Sequence, residues 1–280
     1  MILLSIVRII RLGNCLIASA AVWVGAYLTV GFAMSAELLT AMCGALLICA
    51  GGNTVNDILD IESDRINHPD RPLPSGALSV RRAKTIAVVC HIAAVPLIAI
   101  SNWQVMSLGI LTIAALMAYN VWLKGVPLVG NMLIGLLGAA AFMCGGLAAD
   151  PDRALSLPGP LIAATFALML HLIREMVKDI EDIDGDRWGK ARSLPRIIGG
   201  RSALLIAMLL FGILALLTVL PYASGWFGPA YAATVVLFVD VPILAMFMIA
   251  WGKPSRRSLG WLRSGLKMGM LFGLIALLVG

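Results

Sequence analysis

SALLIAMLLFGILALLTVL (residues 202–220) carries no charge over 19 residues. As a helix rising about 1.5 Å per residue it reaches about 29 Å, the depth of a hydrocarbon core. A soluble helix of that length would show a polar stripe, and this run shows none. Runs of the same kind recur near 15–34, 37–56, 84–101, 104–122, 128–148, 158–178, 229–250 and 262–279, making nine spans in all. Composition agrees: of 280 residues 60% are hydrophobic and 13% charged, and mean hydropathy is +0.96. The expectation is an all-α polytopic membrane protein, a bundle of about nine transmembrane helices around a central cavity, forming one domain over 1–280. The first run exceeds the apolar core of a secretory signal and has no convincing cleavage site, so it reads as a retained span.

Orientation follows from the basic residues, which concentrate in short cytoplasmic loops. With a cytoplasmic N-terminus, Arg8, Arg11, the groups Arg65 to Lys84, Arg174 to Arg201 and Lys253 to Lys267, and Lys124 all fall at or near cytoplasmic ends. Arg153 alone falls outside. The net charge of +6 is therefore a signature of topology. No basic stripe with interleaved aromatics is present, and nucleic acid is not an expected partner.

Against this apolar background, two spans close on the same comb of polar residues, Asn53-x3-Asp57-x2-Asp60-x3-Asp64 and Glu175-x3-Asp179-x2-Asp182-x3-Asp186. The 4-3-4 spacing puts all four side chains of each comb on one helical face. Two carboxylates about 6 Å apart at an effective dielectric near 20 repel by roughly 3 kcal/mol, so each row requires cations nearby. Both combs end even-numbered spans and come to the same side of the bilayer, where they can face each other. An offset of 122 residues superposes Asp57, Asp60, Asp64 and Arg65 on Asp179, Asp182, Asp186 and Arg187, as two related halves would. Gly185 is expected to end the sixth span's helix.

Oxygen ligands from Asp and Asn favour a hard cation such as Mg2+, which completes its shell with water and phosphate oxygens. A diphosphate bridging the combs fits, with Lys178, Arg71, Lys124, Arg187 and Arg192 neutralising its remaining charge. An apolar bundle behind that polar mouth suits a lipid-like tail. Metal binding makes diphosphate a better leaving group, and the allylic cation left behind is captured by an acceptor.

Asn56-Asp57-x2-Asp60-x3-Asp64 and Asp179-x2-Asp182-x3-Asp186, at cytoplasmic span ends across a nine-span chain, resemble the UbiA superfamily of intramembrane prenyltransferases. The resemblance implies Mg2+ on Asn53, Asn56, Asp57, Asp60 and Asp64, with a second ion on Asp179, Asp182 and Asp186. Tyr119 to Lys124 is similar to the family's diphosphate-binding Tyr-x4-Lys. The flanks Arg174 to Asp182, Arg71 to Gly76 and Arg11 to Cys15 are most similar to the branch that adds a second geranylgeranyl chain to a prenylglyceryl phosphate. That branch implies geranylgeranyl diphosphate as donor, a glycerol hydroxyl as acceptor, a diether lipid precursor as product, and a substrate-binding role for Asn14. The usual proline after Arg11 is absent, with Leu12 and Gly13 standing there.

Two other functions fit parts of the pattern. An aromatic prenyltransferase of quinone or tocopherol type would use the same donor site. A cation-coupled transporter would place its acids near the midplane in broken helices, unlike these. Glu175 lies one turn deeper than Asp179, where pairing with Arg174 or Lys178 is favoured over accepting the acceptor's proton. Glu62, Glu181 and Asp184 fall off the aligned faces. Cys15, Cys43, Cys49, Cys90 and Cys144 form no C-x-x-C pair, and His68, His91 and His171 no zinc spacing, so both sets read as packing residues.

Overall fold

The computed structural model describes residues 2–183 and 193–280. Asp184, Gly185, Asp186, Arg187 and Arg192, which the sequence reading placed at the second comb, lie outside the described residues. Among the described residues there is no strand, and nine helices are long and apolar enough to cross a membrane. They are Leu12–Val30 (α2), Ala36–Leu59 (α3), Val80–Ser101 (α5), Trp103–Leu123 (α6 with a terminal π-turn), Val129–Ala149 (α7), Pro160–Glu181 (α8), Gly200–Ala223 (α10), Pro229–Gly252 (α11 and α12 around a π-turn) and Arg256–Val279 (α13). Each matches an expected span. Shorter helices at Ile2–Ile9 (α1), Ile61–Asn67 (α4) and Leu194–Ile198 (α9) were not foreseen.

Local chemistry sets the boundaries. Ser35, Ser79, Asn102 and Ser255 stand just before α3, α5, α6 and α13, each accepting a hydrogen bond from a first-turn backbone N–H. Pro160 and Pro229 open their helices, where a missing N–H removes no intrahelical bond. Gly31, at φ +78°, ends α2. The surface of a membrane protein is inverted, and large apolar side chains such as Leu111, Ile92 and Leu216 stand exposed along the spans.

The described chain divides into two compact units. The first comprises the residues up to Trp122 with Ala140–Ser156, so it takes the second half of α7. Its main core joins Val22 and Ala26 of α2, Ala41 and Ile48 of α3, Ala94 and Ile98 of α5, and Cys144 and Ala148 of α7. Backbones approach closely here. A Cβ on Gly25 would run into the Phe142 carbonyl, and one on Gly145 into the Val22 carbonyl, so reciprocal glycines let α2 and α7 touch main chain to main chain. A smaller core of Ile9, Leu73, Leu78 and Ala83 anchors α1 and the 68–79 loop against the start of α5.

The second unit holds Leu123–Ala139 and the described residues from Leu157 onward. In it α8 packs on α10 and α13, and α12 on α13. Phe211 of α10 packs on Phe247 of α12, the rings tilted by 34° with centroids 5.6 Å apart. Gly135 and Gly138 let the first half of α7 lie against Leu168 and His171 of α8. Deep in this unit Thr218 donates to Asp240 Oδ2 at 3.0 Å and to the Ala215 carbonyl at 2.8 Å, and Tyr231 donates to the Thr218 carbonyl at 2.8 Å.

Candidate active site

The first comb is built by α3, α4 and the loop after them. Contrary to the expectation of one continuous helix, α3 ends at Leu59. Asp60, at φ −90° and ψ 2°, carries the chain into α4, and its carbonyl accepts from the Ser63 hydroxyl at 2.9 Å and the Asp64 N–H at 2.8 Å. Residues of low helix propensity whose side chains bond the backbone locally favour such a break. The break keeps the outer acids together. Arg71 Nη1 donates to both Asp64 oxygens, at 2.7 and 2.6 Å, and stands 3.8 Å from Asp57 Oδ1. Asp57 and Asp64 are both buried, and Asp60 is partly so.

The loop presenting Arg71 is tightly formed. Ser75 Oγ donates to the Arg71 carbonyl, the Leu78 N–H to the Pro72 carbonyl, and Gly76 turns the chain at φ +74°. Arg8 donates to the Asp70 carbonyl at 2.8 Å, tying α1 to the same loop.

Arg11 completes this cluster and was missed as a site residue, because an Arg ahead of a first span reads as a topological signal. Its Nη2 lies 2.5 Å from Asp57 Oδ1. It sits at φ 53° and ψ 57°, the left-handed region, which costs a non-glycine residue about 1–2 kcal/mol. That conformation turns the chain between α1 and α2, and Asn14, partly buried, sits on the first turn of α2 with its N–H bonded to the Arg11 carbonyl at 2.7 Å.

The amides go elsewhere. Asn53 donates to the Ile10 carbonyl at 2.9 Å, and Asn56 to Asn120 Oδ1 at 2.9 Å. An amide oxygen is a ligand type that a hard cation accepts. Tyr119 and Asn120 are buried in the π-turn Tyr119–Leu123, and Lys124 is exposed just beyond it.

The second comb rises from α8, which ends at Glu181, before Gly185 is reached, with Asp182 as its cap residue. Glu175 is buried with both oxygens engaged, accepting from Arg174 at 2.9 Å and Lys178 at 2.6 Å. The expected charge pairing is thus present. Asp179 Oδ2 accepts from Asn131 of α7 at 2.9 Å. Asn131 was also missed, although an amide near the start of an apolar span is a legible signal. Glu181 pairs with Arg263 of α13 at 3.2 Å.

Among the described residues no three acids, thiols or imidazoles gather around one point as a metal cage. The residues nonetheless fit a divalent cation. Buried carboxylates of Asp57 and Asp64 both lie within 4 Å of Arg71 Nη1, so the space between them accepts positive charge from oxygen donors of the type a hard cation takes.

The sequence matches the UbiA prenyltransferase family over residues 15–271. It is 34% identical over 277 residues to digeranylgeranylglyceryl phosphate synthase of Natronomonas pharaonis, covering 99% of this chain and 96% of that one. A solved structure of a digeranylgeranylglyceryl phosphate synthase is similar at a TM-score of 0.76 and 29% identity, covering 100% of this chain and 98% of that one. A UbiA homologue from Archaeoglobus fulgidus, solved with GPP and Mg2+, shares the fold at a TM-score of 0.62 and 16% identity, covering 98% of this chain and 99% of that one.

Proposed function

The chain belongs to the UbiA prenyltransferase family, and on that premise we propose that it moves a geranylgeranyl group from geranylgeranyl diphosphate to the free glycerol hydroxyl of geranylgeranylglyceryl phosphate. The product carries the second ether bond of a membrane-lipid precursor. Near-full-length identity to synthases of that name supports the acceptor. Convergence of Asp57 and Asp64 on a single positive nitrogen is the observation that carries the metal reading.

In this reading Asp57, Asp60 and Asp64, with the oxygens of Asn53 and Asn56, hold one Mg2+, and Asp179, Asp182 and Asp186 hold a second. Mg2+ held by these residues would neutralise the diphosphate and make it a better leaving group. The chain's own residues do the rest. Arg71, Lys124, Lys178, Arg187 and Arg192 take the phosphate oxygens not facing metal, Tyr119 and Asn14 orient the head group, and Arg174 and Lys178 are held in place by Glu175. The C1–O bond to diphosphate breaks first, and an apolar wall keeps water from the allylic cation until the glycerol oxygen attacks C1 and forms the ether bond. The acceptor's hydroxyl proton passes to the released diphosphate. The site opens to the cytoplasm and the protein resides in the cell membrane.

Prenyl transfer by the purified protein tests this, with geranylgeranyl diphosphate and Mg2+ and either geranylgeranylglyceryl phosphate or 4-hydroxybenzoate as acceptor. Product on the glycerol phosphate alone, lost with EDTA and in Asp57→Asn and Asp179→Asn, is expected. Product on the aromatic ring alone would move the enzyme to the quinone-type branch of the same family.

A further inference from the structure

The Arg11 guanidinium occupies Asp57 Oδ1, an oxygen that the proposed function assigns to a divalent cation. Arg71 stands on the Asp64 side of the same carboxylate pair, so Asp57 is approached by two guanidinium groups while Asp64 is held by one. The two arginines differ in how they are mounted. Arg71 donates to both Asp64 oxygens from a loop pinned by its own backbone bonds and by buried Leu73 and Leu78. Arg11 reaches a single oxygen, from a one-residue left-handed joint between two helices, and the two arginine side chains are similarly exposed, at 33% and 31%. Asp57 itself is 5% exposed, so its charge requires a partner at all times. A guanidinium bonded to one carboxylate oxygen from a helix joint is displaced by a cation more readily than one bonded to both oxygens from a pinned loop.

We infer that Arg11 is an exchangeable counter-ion of the first comb. It neutralises Asp57 until a divalent cation takes the carboxylate, and the released guanidinium then serves as an anion contact for the diphosphate arriving with the metal. This rests on the reading of the comb as a Mg2+ site and assigns Arg11 a role in loading it. Two linkages of opposite sign follow. Arg11 weakens binding of a bare cation and strengthens binding of a cation together with diphosphate.

The experiment uses the full-length protein in detergent with Mn2+ as spin probe, titrated by electron paramagnetic resonance with and without inorganic pyrophosphate. Arg11→Gln is expected to bind Mn2+ alone roughly five- to tenfold more tightly than wild type, and to lose most of the tightening that pyrophosphate brings. Arg11→Lys, which keeps the charge but not the fork, is expected to fall between them, and it carries the test if Arg11→Gln does not fold. Unchanged or weaker Mn2+ binding in both variants would overturn the exchange. Pyrophosphate coupling equal to wild type in both would overturn the anion contact. Asp57→Asn separates the underlying reading: if it binds Mn2+ as wild type does, the comb is not the cation site and the failure lies there.

Discussion

Glu175→Gln tests whether the deepest acid of the second comb is a counter-ion or a base. In the structure its two oxygens accept from Arg174 at 2.9 Å and Lys178 at 2.6 Å. An amide keeps one acceptor oxygen but turns its NH2 toward one of the two donors, so one contact is kept and the other becomes repulsive. Charge-assisted hydrogen bonds contribute about 1.5–3 kcal/mol each, and breaking a fully buried ion pair costs about 3–5 kcal/mol. Here the cationic partners are 25% and 35% exposed, so water recovers part of their loss. The expected destabilisation is about 2 kcal/mol, or roughly 4–8 °C in an apparent Tm measured in detergent at one scan rate. Turnover should fall less than about tenfold, through looser donor binding, with the slope of log kcat against pH unchanged. A general base removed would instead cost about 10²–10⁴ in kcat. A variant as stable as wild type with turnover down a hundredfold and the pH slope abolished would refute the counter-ion assignment.

Three further outcomes are expected. Asn131→Ala removes a hydrogen bond from Asp179 Oδ2 and should raise the Mg2+ concentration for half-maximal transfer about tenfold. Gly25→Ala and Gly145→Ala each force α2 and α7 apart, costing about 1–3 kcal/mol in thermal unfolding whether or not substrates are present. Thr218→Val strips Asp240 Oδ2 of a donor in the protein interior and should lower stability by about 1–3 kcal/mol, measured by denaturant or thermal melts, with donor affinity unchanged.

All nine spans were legible because hydrocarbon thickness fixes their length and composition, whatever they pack against. The burial and pairing of Asp57, Asp64 and Glu175 were legible because carboxylates are costly at a membrane. What escaped has a physical reason in each case. The amphipathic α1 is too short for periodicity to separate it from a loop, yet it places Arg8 on the Asp70 carbonyl. The π-turns at Tyr119–Leu123 and Val236–Asp240 depend on tertiary packing and leave no compositional mark. Arg11 carried two messages at once, and topology explained it before its contact with Asp57 was visible. The break at Asp60 also escaped, since spacing alone reads Asn53 to Asp64 as one helical face.

The reciprocal glycine contact between α2 and α7 sets an order of events at the ribosome. The first unit ends at Trp122 only to be resumed at Ala140, after Leu123–Ala139 has been given to the second. Until Ala140–Ala149 has been synthesised and inserted, Val22 and Gly25 have no Phe142 or Gly145 to meet, and the groove along α2 faces lipid or a chaperone. A chain truncated at Trp122 would contain the whole first acidic comb and still lack the helix that closes its unit. Gene fragments cut at that point should therefore yield insertion intermediates, and a split version of the protein should reassemble only if the break falls beyond Ser156.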